Sequence, residues 1–356
     1  MFNLKHGAAL LLAVAVFTAC SGCGAAQRAA ESQSQSNTAL GSESLAVGEE
    51  APLAPMGTLA PPPSFEPLFT QGEAANAAPA ATIPSPAALK GAADAAAKTF
   101  TGLSPLPVRS IAIPDPNNSL GLPVKKIEHS YGVAKDGKPH SISVANQRFF
   151  DAKHYAAVAY DTSEKKVVYL TFDCGYENGN TAKILDVLKE KKAPAAFFCT
   201  LDEMKGAPEI VARMINEGHI VGNHSAKHPS FAEIDRSRMA KEILESDNYL
   251  RTEFGYTSPF FRFPKGEYTE SALEAVASLG FVSVFWSAAY SDWDVSVSRG
   301  GAYAADTVLA RLHPGAILLL HSVSNDNAEA MAQIIDRARA QGYEFQELPA
   351  LPLFYS

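Results

Sequence analysis

Residues Val167 to Gly175 read Val-Val-Tyr-Leu-Thr-Phe-Asp-Cys-Gly, an apolar run that stops on a carboxylate and a glycine. The run predicts a strand whose end carries a polar group. Similar runs occur at Ala195 to Thr200, His219 to Gly222, Phe260 to Phe263, Phe281 to Phe285, Ala316 to Leu320 and Tyr343 to Gln346. Between them lie amphipathic segments at Thr181 to Glu190, Pro208 to Asn216, Ser237 to Glu253, Thr269 to Leu279, Asp306 to Leu312 and Asn327 to Ala340. Gly218, Gly255, Gly280 and Gly342 close four of these at C-terminal cap positions. Alternation of strand and helix predicts an α/β fold with a parallel sheet, and about seven units are enough for a distorted (β/α) barrel or partial barrel.

Each polar cluster begins where an apolar strand ends. Asp173 follows Val167 to Phe172, His224 follows Ile220 and Val221, and Arg262 ends the Phe260 strand. Asp292 lies in the loop after Phe281 to Trp286, and His321 follows Ile317 to Leu320. Loops at the C-terminal ends of parallel strands open on one face, so five segments distant in sequence are expected to share one cleft.

The rest of the chain sets the context. Of 356 residues 47% are apolar, enough for one large core, and the net charge of −8 provides no basic field for nucleic acid, so no nucleic-acid partner is expected. Lys5 and His6 precede a short apolar run, Ala8 to Phe17, that reads as a signal-peptide core. Val16-Phe17-Thr18-Ala19-Cys20 resembles a bacterial lipobox, with Cys20 as the lipidated residue; an ordinary signal peptide cut nearby is the alternative. The expected organisation is a signal peptide at 1–20, an Ala/Pro/Ser-rich linker at 21–120 and a folded α/β domain at 121–356. The protein is thus expected outside the cell, lipid-anchored to the outer face of the cytoplasmic membrane and monomeric. Cys174 and Cys199 could pair there or remain free thiols.

Each candidate residue also has a bland reading. His224 and His228, four apart, could face one metal ion if their segment turns helically, or be a buried histidine and a loop residue. Asp173 could accept a proton from water at the mouth of the sheet, or cap a turn. His321 could pair with a carboxylate, or bond to backbone. Arg262 could orient an acidic partner, and Asp292-Trp293 could supply a carboxylate for His321 and an aromatic face for a sugar.

Taken in order, these five segments resemble the polysaccharide deacetylase family, also called carbohydrate esterase 4 or NodB-homology, over roughly Ile127 to the C-terminus. The resemblance implies Asp173 as catalytic base, His224 and His228 as ligands of a divalent metal, and His321 as general acid. It further implies that Arg262 holds the base, Asp292 tunes the acid and the backbone N–H near Lys265 receives the oxyanion. Zinc is the expected ion, with manganese or magnesium as alternatives.

Two positions depart from the pattern. Cys174 stands where the family has a second Asp ligand, and Ala289 where its fourth motif has an Asp. Cys174 could ligate zinc as a thiolate or be no ligand, leaving two histidines. Phe-Asp-Cys-Gly-Tyr-Glu-Asn-Gly-Asn-Thr, His129-Ser130-Tyr131-Gly132, the segment Trp286 to Trp293 and the segment His321 to Glu329 resemble the muramic delta-lactam-forming deacetylases of spore formers. That implies N-acetylmuramic acid of the peptidoglycan glycan strand as substrate. The alternatives are a peptidoglycan N-acetylglucosamine deacetylase, or a glycan-binding protein whose site has decayed through Cys174 and Ala289.

Overall fold

The computed structural model describes residues 99–130 and 132–351. The expected signal peptide, Cys20, most of the linker and Tyr131 lie outside these described residues. The linker boundary needs correction, because residues 99–120 are held on the catalytic domain. Phe100 N–H donates to Glu253 O at 2.8 Å, Leu106 N–H donates to Arg251 O at 2.8 Å, and Arg109 and Asn248 exchange two hydrogen bonds. Thr99 and Ile113 are buried. Backbone pairing fixes this stretch, and composition does not report it.

Among the described residues the strands are β1 (Ile127–Glu128), β2 (Ala157–Val158), β3 (Val167–Cys174), β4 (Ala196–Cys199), β5 (Ile220–Asn223), β6 (Phe260–Phe261), β7 (Glu267–Tyr268), β8 (Val282–Val284), β9 (Ala288–Ala289), β10 (Ala316–His321) and β11 (Glu344–Phe345). The main sheet runs β2-β8-β6-β5-β4-β3-β10-β9, with β11 beside β3, and every pairing in it is parallel. It is curled into a half-barrel with helices around it, the α/β architecture expected. β1 and β7 form a separate antiparallel pair.

The helices are α1 (Ser141–Lys153), α2 (Thr181–Lys191), α3 (Leu201–Gly206), α4 (Pro208–Asn216), α5 (Arg236–Tyr249), α6 (Glu270–Ser278), α7 (Gly301–Leu309) and α8 (Asn325–Ala340). The expected helix at Asp306 to Leu312 starts earlier, at Gly301. A Cβ there would lie 2.7 Å from Glu329 Cβ, so glycine is what lets α7 approach α8.

Side-chain alternation along β3 places the site. Val168, Leu170, Phe172 and Cys174 pack with Ile184, Leu188, Met331 and Ile335 of α2 and α8. Val167 and Tyr169 belong to a second cluster, with Phe198, Phe261, Ile317 and Leu319, on the opposite face. Asp173 therefore turns to the concave side and Cys174 to the helices.

Candidate active site

Asp173, next to last in β3, and His321, last in β10, are register partners, so both side chains leave the sheet on one face. Arg262 follows β6, its N–H bonded to Asn223 O at 3.0 Å, and lies fully buried beneath the cleft. Its Nε donates to Val284 O at 2.9 Å, Nη2 to Phe285 O at 3.1 Å and Nη1 to Asp173 Oδ1 at 2.8 Å. The guanidinium also lies 4.1 Å over the Phe198 ring. Burial alone would raise the Asp173 pKa, but His224, Arg262 and His321 outweigh it and hold the carboxyl below its usual range.

His321 sits in the opposite setting. Its Nδ1–H donates to Asp292 Oδ1 at 2.7 Å, and its backbone N–H donates to Asp292 Oδ2 at 2.8 Å. Burial disfavours the charged ring, but Asp292 more than compensates and the pKa is raised. Asp292 is itself fixed by Asn327 Nδ2 at 2.6 Å, and Asn327 Oδ1 accepts from Tyr290 OH at 2.6 Å. Trp293, exposed at the rim, meets His321 edge-on with ring centroids 5.9 Å apart.

His224 and His228 are brought together, though no helix does it. Ser225 and His228 adopt left-handed backbone, φ 69° and 55°, tied by Ser225 N–H to Asn223 Oδ1 and His228 N–H to Ser225 Oγ, both 2.9 Å. The two rings stand 4.9 Å apart at 73°. His224 Nδ1–H donates to Arg262 O at 2.9 Å, which leaves Nε2 facing Asp173 Oδ2 at 3.5 Å. Burial lowers the His224 pKa, against the opposing pull of Asp173.

Cys174 does not join them, which favours the second of the two readings left open for it, that it is no ligand. Its side chain is buried in the helix-facing cluster and its Sγ accepts from Ser322 Oγ at 3.2 Å. Alternation along β3 forces this, since Asp173 takes the concave face. Cys174 and Cys199, side by side on β3 and β4, are both free thiols.

The polysaccharide deacetylases are metal-dependent enzymes. Among the described residues no group of three His, Cys, Asp or Glu side chains is arranged to hold an ion. A catalytic zinc ordinarily keeps three protein ligands, and this chain supplies two imidazoles, so its side chains do not complete that set.

These groups line a cleft of about 520 Å³ walled by Trp286, Tyr290, Leu319 and Val323. On one rim Lys265 has left-handed backbone, φ 60° and ψ 1°, followed by Gly266 at φ 67°. A Cβ on Gly266 would lie 2.6 Å from His129 O and 2.7 Å from the Trp286 ring. His129, buried in the wall, bonds Trp286 O at 2.6 Å and Asn146 Nδ2 at 2.7 Å. Asn327, Tyr290 and His129 are site residues to which sequence gave no role. Their signal is weak, since each acts through another residue.

A charged carboxylate and a protonated imidazole converging on one cleft are the parts needed to deliver water to an acyl carbon and a proton to a leaving nitrogen. The polysaccharide deacetylase family model matches residues 160–284. The peptidoglycan-N-acetylmuramic acid deacetylase PdaA of Bacillus subtilis is 39% identical over 198 residues, 55% of this chain and 75% of that protein. A peptidoglycan-N-acetylglucosamine deacetylase of Bacillus cereus is 33% identical over 205 residues, covering 55% and 72%. The solved structure of Bacillus subtilis PdaA, a family 4 carbohydrate esterase, superposes with a TM-score of 0.62 at 35% identity, covering 66% of this chain and all of that one. Site, fold and relatives agree that the chain belongs to the polysaccharide deacetylase family, hydrolases that cut the C–N bond of sugar N-acetyl groups.

Proposed function

We propose that the protein removes the acetyl group from N-acetylmuramic acid in peptidoglycan. The observation that carries this reading is the pairing of Asp173 with Arg262 opposite His321 with Asp292 in one cleft. Asp173 takes a proton from water as the water oxygen attacks the acetamide carbon. The Lys265 backbone N–H receives the oxyanion, and His321 Nε2–H protonates the nitrogen as the C–N bond breaks, releasing acetate and a free amine. Closure of that amine on the lactyl carboxyl, with loss of water, gives the muramic delta-lactam.

The muramic substrate is supported by the 39% identity to the Bacillus subtilis muramic acid deacetylase over 75% of that protein. The Bacillus cereus relative favours the second reading, an N-acetylglucosamine deacetylase. We place the enzyme outside the cytoplasmic membrane, anchored through Cys20, because a tether at 21–98 provides reach toward the glycan. The test is acetate release from peptide-stripped glycan, with mass spectrometry of the digest, in the presence of zinc, manganese, magnesium or chelator. Muramic lactam is expected, and an added ion would meet His224 and His228. Free glucosamine alone would move the assignment to the second reading, and no acetate under any condition would leave a glycan-binding protein.

A further inference from the structure

Among the described residues that line the cleft, Lys265 is the one side-chain cation besides the histidines. Lys265 is exposed on the rim, and neither its Nζ nor its backbone N–H makes a hydrogen bond or salt bridge among the described residues. The nearest acid in sequence, Glu267, is taken by Lys126, whose Nζ lies 2.7 Å from Glu267 Oε1. Arg262, the other positive group, is buried below and spent on Asp173 and two carbonyls. Lys265 lines the cleft together with His228, Trp286 and His321.

The backbone makes this placement deliberate in physical terms. Lys265 carries a Cβ in a left-handed conformation that glycine adopts without penalty, and Gly266 beside it is left-handed as well. Strain retained at the mouth of a site calls for a use of the side chain.

Substrate chemistry supplies one, on the reading given above. In a muramic acid the lactyl ether sits on the ring carbon next to the one that bears the acetamide. With the acetamide oxygen at the Lys265 N–H, the lactyl arm lies a few bonds away, within reach of the same residue's ammonium. Stem peptide attached to that arm makes it a neutral amide, and its removal leaves a carboxylate. N-acetylglucosamine has no such arm. The walls formed by Trp286, Leu319 and Val323 are apolar, which strengthens attraction between opposite charges at their edge.

We propose that Lys265 is the specificity residue of this cleft: its ammonium pairs with the free lactyl carboxylate of peptide-stripped muramic acid. One residue then holds the oxyanion through its backbone and selects the sugar through its side chain.

Full-length protein is assayed for acetate release on three glycans of equal length, carrying the lactyl free acid, the lactyl methylamide, or N-acetylglucosamine alone. Wild type should favour the acid over the methylamide in kcat/KM by about tenfold or more, as for a charge-assisted hydrogen bond, and added salt should shrink that preference. Lys265→Gln should bring the ratio near one, mainly through KM on the acid, and Lys265→Arg should restore it. A wild-type preference that survives unchanged in Lys265→Gln overturns this inference and leaves the muramic reading standing. Wild-type turnover of N-acetylglucosamine without turnover of either muramic glycan overturns both.

Discussion

Asp173 and His321 face each other as register partners on β3 and β10, yet their neighbours drive them to opposite charge states. Arg262 favours the ionised carboxylate and Asp292 favours the protonated imidazole. Base and acid are therefore each biased toward the form in which it works, without a proton having to pass between them. The sheet register sets their spacing, and each partner comes from a different strand end.

The pH profile of kcat/KM should report this arrangement. His321 works in its protonated form, so activity falls as pH rises through its raised pKa. Asp292→Asn removes the carboxylate that raises it and leaves the opposing effect of burial, so the alkaline limb should move to lower pH. The acid limb, set by Asp173, should stay close to its place. An unmoved alkaline limb would exclude His321 as the titrating acid.

Arg262→Lys should be a severe change despite conserving charge. A lysine cannot reach Asp173, Val284 O and Phe285 O together or lie flat on Phe198. Loss of a buried pair of this kind costs about 3–5 kcal/mol, so both thermal midpoint and acetate release should drop, the latter by about 100-fold or more. Melting curves and steady-state rates together decide it, and a variant with wild-type values in both would remove Arg262 from the site.

Cys174→Ser should leave the acetate-release rate within a few-fold of wild type, because the thiol faces α2 and α8 and its polar contacts are to Ser322 and Cys199. Cys174→Asp, which restores the family's residue, places a carboxylate among apolar side chains and should lower the melting temperature by several degrees. A gain in activity and metal affinity in Cys174→Asp would show that the strand end can turn over, contrary to the orientation described.

Much of this is legible in the amino-acid sequence. The seven strands read from apolar runs all form, because runs such as Ala316 to Leu320 are buried on both faces and leave no other solution. Asp173, His224, Arg262, Asp292 and His321 meet in one region because each follows a strand of the same parallel sheet. What could not be read depends on direction or on long-range pairing. The outward turn of Cys174 follows from pleat phase, which a run apolar on both faces hides. The attachment of residues 99–120 rests on backbone bonds to the end of α5 and the turn after it. The two-residue strands are too short to have a period.

Asn327 illustrates the same limit, since its role emerges only when α8 folds over the end of β10. Its Nδ2 donates to Asp292 Oδ2 at 2.6 Å and to His321 O at 3.1 Å, and its Oδ1 accepts from Tyr290 OH. Asn327→Ala removes all three while keeping the Asp292 Oδ1 bond to His321 Nδ1. Leaving the buried Tyr290 hydroxyl without an acceptor should cost about 1–3 kcal/mol, visible as a lower thermal midpoint. The rate should fall less than in Asp292→Asn, with the alkaline limb shifted in the same direction but by a smaller amount, since Asp292 keeps its charge and loses only its anchor. A larger loss in Asn327→Ala than in Asp292→Asn would mean that Asn327 touches the substrate itself instead of holding the carboxylate.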